Sequence, residues 1–361
     1  MHSKATTPGA RWRATLALAV LALATEASAL DWHVDVTPAG ELFPVLQLSQ
    51  PPRSDAGGSG DGLVSVRLAG DALPRHLRLR VETPGLRAPA EVELRPAADA
   101  RGIDLHPRLD WDVDALRALS APRRQVLLAT LEADGVTQVR RVEVRLHALD
   151  DAPYYVREGS ERVDLGWVFA AYVDPHDPAV DAVLAAARAI DPGFDTAGGG
   201  AVADRRRVAA IWAALDRHGV RYADADPALS RGPVVWSQRV RTPSMTWRER
   251  RASCIDGSVL LASAFERIGL RPLIVLVPGH AFVGFRGSAG GDAAFLETTL
   301  LGARRGPSGH SAALAAGNAR WQRVARRMDG RHAPDYALLD IGRARAYGII
   351  PLPAAPGADA E

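Results

Sequence analysis

An α+β fold is predicted, with strands gathered in the first half of the chain and helices interleaved with strands in the second. Three observations carry this. Residues 31–150 alternate apolar and polar with a period of two, the pattern of half-buried strands. From about residue 160 the apolar residues recur at helical spacing. Beyond residue 270 short apolar runs return, separated by Pro-Gly and glycine-rich turns. The expected organisation is an N-terminal antiparallel β-sandwich-like domain over residues 30–152, an α+β domain over residues 160–353 and a flexible tail at 354–361. A length of 361 residues suits two such units at ~100–200 residues each.

Residues 1–29 read as a secretory leader. Lys4, Arg11 and Arg13 make a positive start, residues 14–24 are apolar, and Ala27-Ser28-Ala29 has the small-x-small form of a cleavage site. The apolar run is shorter than the ~20 residues that span a bilayer as a helix. No later segment is long and apolar enough for a span, so a periplasmic or secreted protein is expected, with an uncleaved anchor as the alternative. Lys4, Arg11 and Arg13 against Glu26 account for the formal net charge of +2. The remainder is near neutral, and nucleic acid is not an expected partner. Lys4 is also the sole lysine, which excludes a Walker A phosphate loop and nucleotide hydrolysis by that route.

In the first half, Val64–Leu68 and His76–Glu82 alternate cleanly, Gln125–Glu132 is more continuously apolar, and Val139–Leu146 alternates imperfectly. Asp134-Gly135 between the last two is a hairpin signal. Residues 50–60, rich in Pro, Gly and Ser, read as a flexible loop. Asp110-Trp111-Asp112-Val113-Asp114 imitates the start of a calcium loop, but Ala115 replaces the required Gly and Ala121 the closing carboxylate. It reads as a turn into a short helix. No histidine pair has metal-binding spacing, and Asp224 and Asp226 lack companion ligands. No metal or other cofactor is expected.

In the second half, Pro178–Ile190 is a helix with Asp177 as N-cap and Pro178 in its first turn. Gly198-Gly199-Gly200 breaks the chain. A second helix, Asp204–His218, places Val208, Ile211, Trp212 and Leu215 on one face and ends at Gly219. A third, Cys254–Ile268, has Ser253 as N-cap and Gly269 as its stop. Leu273–Val277, His280–Phe285 and Phe295–Leu300 read as strands, the first two joined by Pro278-Gly279. A helix over Ser311–Met328 and a strand near Tyr336–Ile341 follow. Arg320, Arg323 and Arg327 share a face of that last helix, read as solvated, with an acidic partner as the rival reading.

Cys254 is the only cysteine. In an oxidising compartment it has no partner for a structural disulfide. It opens the apolar helix, where unpaired N–H groups and the helix dipole favour a thiolate and can receive an oxyanion. His280 follows, and then Glu297. A thiol, an imidazole to take its proton and a carboxylate to orient the imidazole are the parts of an activated nucleophile. The competing readings are an inert buried cysteine, a core histidine and a surface carboxylate.

Ser253-Cys254-Ile255-Asp256, Pro278–Gly284 and Leu296–Thr299 together resemble the transglutaminase-like superfamily of papain-like cysteine enzymes. Within it they are similar to the module that stands in front of certain bacterial helicase-related proteins. Ala170–Pro175, Gln238–Pro243 and Leu339–Arg345 join the resemblance, which covers roughly residues 160–353. It implies a transglutaminase-like (papain-like) α+β domain, with Cys254 as nucleophile at a helix start and His280 and Glu297 on consecutive strands. The family's usual third residue is Asp, and here it is Glu297. The helicase portion has no counterpart, so no ATP chemistry is implied. Gln238 lies upstream of the cysteine, as the oxyanion-hole glutamine does in papain-like enzymes; an exposed glutamine ahead of a proline turn reads equally well.

The function these readings imply is acyl transfer from an amide through a thioester on Cys254. Water as acceptor gives a peptidase or deamidase, and an amine gives transamidation. Proteins, peptides and peptidoglycan stem peptides are the candidate substrates in an envelope. The rival expectation is a catalytically silent binding module on the same fold.

Overall fold

The structure, a computed structural model, describes residues 30–52, 62–70, 72–195, 199–224, 234–287, 290–303 and 307–354. The leader, most of the 50–60 loop, Gly198, Asp226 and the tail beyond Ala354 lie outside the described residues. An N-terminal β-rich region is followed by a mixed α/β region.

The β-rich region holds a three-stranded antiparallel sheet of Asp31–Val36, Val64–Ala69 and Gly102–Leu105. It also holds a five-stranded sheet in the order Glu41–Leu42, Val136–Leu146, Arg123–Ala133, Leu77–Glu82, Ala90–Leu94. Period two in the sequence becomes register here. Leu77, Leu79 and Val81 lie opposite Ala133, Leu131 and Ala129, and all six are buried. Asp134 and Gly135, at φ 45° and 84°, form the two-residue turn that matches strand twist. The stretch at 110–114 is a two-residue strand, Asp110–Trp111, running into the helix Val113–Arg117. Asp112 caps that helix by accepting from the Ala115 N–H.

The mixed region opens with a three-stranded sheet ordered Glu161–Asp164, Asp151–Glu158, Val235–Arg239. The helix Pro178–Ile190 begins at Asp177, whose carboxylate accepts from Ala179 N–H at 2.9 Å. The next helix, Ala201–His218, starts three residues before the expected Asp204, directly after Gly200, and ends at Gly219 with φ 94°. A four-stranded antiparallel sheet follows, ordered Ala294–Leu296, His280–Arg286, Arg271–Val277, Ala337–Asp340. One face packs on the helix Cys254–Arg267 through Ile274, Ala281, Val283 and Phe285. The other buries Leu273, Val275, Phe282 and Phe295 against Trp321 of the helix Pro307–Val324. Alternation along single strands therefore feeds two helices on opposite faces. The buried side chains of the β-rich region and of the cysteine-helix face form one continuous apolar cluster.

Two further bounds need correction. The strand expected over Phe295–Leu300 ends at Leu296, and Thr298–Leu300 is a 3₁₀ turn. Side chains take the chain out of the sheet: Glu297 accepts from the Thr299 hydroxyl at 3.0 Å, and the Thr298 hydroxyl donates to the Cys254 carbonyl at 3.0 Å. The helix expected from Ser311 begins four residues earlier, at Pro307, and its α-helical part ends at Val324.

Candidate active site

Ser253 caps the cysteine helix. Its hydroxyl accepts from Asp256 N–H at 3.4 Å, while the Asp256 carboxylate accepts from Ser253 N–H at 2.9 Å. Asp256 is 1% exposed and also accepts from the Arg241 backbone N–H at 2.8 Å and its guanidinium at 3.0 Å. One buried carboxylate thus fixes the helix start and the segment that leaves the strand Val235–Arg239. The capping box consumes the amides of Ser253 and Asp256. The N–H groups of Cys254 and Ile255 have no partner among the described residues.

Cys254 is the first helical residue and is half-buried. Its backbone is pinned, because its carbonyl accepts from the Ser258 hydroxyl at 2.7 Å as well as from Thr298. Gly257 explains how the turn after Glu297 comes so close. A Cβ at that position would stand 3.0 Å from Leu301 Cδ1 and 3.2 Å from Thr298 Cβ.

His280 is the first residue of its strand, at the exit of the Pro278-Gly279 turn, where Gly279 has φ 70°. Its Nε2 lies 2.9 Å from Glu297 Oε1 and 3.1 Å from Oε2. That leaves Nδ1 as the ring nitrogen open to another partner. Burial opposes charging of the ring, but the Cys254 sulfur and the Glu297 carboxylate outweigh it and raise His280 to about 9. Glu297 is 3% exposed. Burial alone would raise its carboxyl, yet hydrogen bonding and charge from His280, then the charge of Arg320 and the Thr299 contact, hold it below the usual range. Cys254, His280 and Glu297, drawn from a helix start, a strand start and a strand end, therefore meet in one place.

Arg320 departs from its expected place on a solvated face: its Nε–H donates to Glu297 Oε2 at 2.7 Å. Arg327 packs on the Tyr336 ring, with 4.8 Å to the centroid, while Arg323 is exposed. Gln238 lies on the strand Val235–Arg239 opposite Ala152. Gln238 is half-buried, and no hydrogen bond ties its side chain to another described residue.

Tyr222 was not singled out by the sequence. The two-residue strand Arg221–Tyr222 runs parallel to Arg251–Ala252, immediately ahead of the helix cap. Its hydroxyl donates to Asp224 Oδ1 at 2.7 Å. Burial first, then Asp224 and the charges of Cys254 and Glu297, push the phenol's proton affinity up, so it stays neutral. The strand pairing that brings Tyr222 beside the cysteine helix spans about 30 residues of sequence and has no local signature.

No protein-family model matches the chain, and no curated protein matches it in sequence.

Proposed function

We propose that the protein is an exported, thiol-dependent acyl-transfer enzyme acting on amide bonds, periplasmic or secreted. In this reading residues 160–353 form a transglutaminase-like (papain-like) domain, and the β-rich part is a sandwich-like accessory domain. The observation that carries the proposal is the convergence of Cys254, His280 and Glu297 at the start of one helix.

The Cys254 thiolate attacks the amide carbonyl carbon, and the carbonyl π electrons move to oxygen. The resulting oxyanion faces the open N–H groups of the helix start, with the Gln238 carboxamide as a second donor. Collapse breaks the C–N bond, and the leaving nitrogen takes the proton held on His280. A thioester and neutral imidazole remain. Water then gives a proton to His280 as its oxygen attacks the thioester, and the C–S bond breaks to return the thiolate. Glu297 holds the ring in one orientation throughout. Hydrolysis is favoured over transamidation because water is always present. Proteins, peptides and peptidoglycan stem peptides are the proposed substrates, with no nucleotide, nucleic acid or cofactor involved. No helix among the described residues is long and apolar enough to cross a membrane.

A thiol-reactive acyl probe tests the reading. Wild-type protein is expected to label at Cys254 and Cys254→Ala not at all, with His280→Ala slowed by about 10²–10⁴-fold. Equal labelling of wild type and His280→Ala contradicts it. The alternative, a catalytically silent binding module, draws on the second cation at Glu297. It is favoured if Cys254→Ala retains the protein's biological effect.

A further inference from the structure

Arg320 sits on the helix Pro307–Val324, and that helix docks on the edge strand Ala294–Leu296 with little room to slide. A Cβ on Gly317 would come within 2.4 Å of the Phe295 carbonyl oxygen, so only glycine permits the approach. Asn318 Oδ1 accepts from Phe295 N–H at 3.0 Å, and the Ala313 carbonyl accepts from Glu297 N–H at 3.0 Å. Trp321 stacks on Phe295 with ring centroids 4.3 Å apart. From this fixed base the Arg320 guanidinium reaches Glu297 Oε2 at 2.7 Å, the oxygen that lies 3.1 Å from His280 Nε2. Two cationic side chains share one buried carboxylate.

We propose that Arg320 is a positioning residue that anchors the Glu297 carboxylate and weakens its hold on the His280 imidazolium, so that the ring gives up its proton more readily to a leaving group. This rests on the thiol-enzyme reading above. Glutamate has one more rotatable bond than aspartate and needs more restraint. Thr299 holds Oε1, through its hydroxyl at 3.0 Å and its N–H at 3.4 Å, and Arg320 holds Oε2. The ionisable groups facing the His280–Glu297 pair are Cys254 from the cysteine helix, Tyr222 with Asp224 from the strand beside it, and Arg320 from the covering helix. Among the described residues Arg320 is the one permanent cation of this group, and a like charge beside an imidazolium favours loss of its proton.

Alkylation of Cys254 by iodoacetate against pH is the test. The reagent's carboxylate is drawn to the imidazolium, so the wild-type rate follows a bell whose alkaline limb reports loss of the His280 proton. In Arg320→Gln that limb is expected to move up by roughly half a pH unit to one unit, a size set by a nearby, partly exposed charge. Arg320→Lys is expected to bring it back toward wild type. A limb that stays in place or moves down in Arg320→Gln, with only the amplitude reduced, overturns the proposal; so does Arg320→Lys behaving as Arg320→Gln does. Wild-type protein without a bell overturns the thiol-enzyme reading as well. A normal wild-type bell that is insensitive to Arg320 overturns only this inference.

Discussion

Among the described residues, two of the histidines held against carboxylates are largely shielded from solvent, one at the join between the β-rich and mixed regions and one beside the start of the cysteine helix. His147, 4% exposed, stacks on Phe43 with ring centroids 3.7 Å apart. Its Nδ1 lies 2.6 Å from Asp151 and its Nε2 2.7 Å from Glu41, so both nitrogens are spent on holding strands together. His280 spends one nitrogen on Glu297 and keeps the other for the side on which the sulfur acts. In both, burial opposes the charge and the partners overcome it, so both proton affinities are raised. Proton affinity therefore does not separate a structural histidine from a chemical one. What differs is that His280 keeps one nitrogen clear of carboxylates on the side of the Cys254 sulfur, which is what the proposed reaction needs.

The comparison breaks most sharply under paired substitutions. His280→Ala is expected to remove nearly all probe labelling while leaving the fold intact. His147→Ala is expected to leave the labelling rate of folded protein unchanged but to destabilise it by about 3 kcal/mol, because buried Asp151 and part-buried Glu41 lose their shared cation. Urea denaturation of each variant, run beside its labelling rate, checks both. Loss of labelling in a folded His147→Ala protein would erase the distinction.

Gln238→Ala sharpens the chemical half of the contrast. Reaction with the acyl probe passes through an oxyanion and is expected to slow by about 10²-fold. Alkylation by iodoacetamide develops no such charge and is expected to stay within about twofold of wild type. Equal slowing of both reactions would assign Gln238 to packing.

A smaller effect concerns pH. A raised histidine stabilises the fold fully below its unfolded value near 6.5 and loses that contribution as pH climbs through its folded value. For His280 the window runs from about 6.5 to about 9. Wild type is expected to lose stability across it relative to His280→Gln, by on the order of 2 kcal/mol. Parallel stability curves over that window would contradict the ionised state assigned to the ring.

Elements were legible where the chemistry is local. Asp177 with Pro178, Ser253 ahead of Cys254, and Asp134-Gly135 all act within three residues of themselves, and the structure forms each as expected. The Phe295–Leu300 segment misled because Thr298 is drawn to the Cys254 carbonyl, a partner 44 residues away that period two does not register. Arg320 reads as solvated because its acceptor lies 23 residues back, and of the two carboxylates that hold His147 only Asp151 is near in sequence, Glu41 being 106 residues distant. Cys254, His280 and Glu297 could be picked out as a group because each stands beside a helix cap, a Pro-Gly turn or a strand end that marks its place. Tyr222 has no such neighbour.

The rate of Cys254 alkylation by iodoacetamide against pH, in wild type and His280→Ala, decides whether the imidazole activates the thiol. With the thiol activated by its neighbour, wild type is expected to be alkylated fast at neutral pH and His280→Ala to fall to the rate of a free thiol. A wild-type profile that already matches free cysteine, and that does not change when His280 is removed, would contradict that activation.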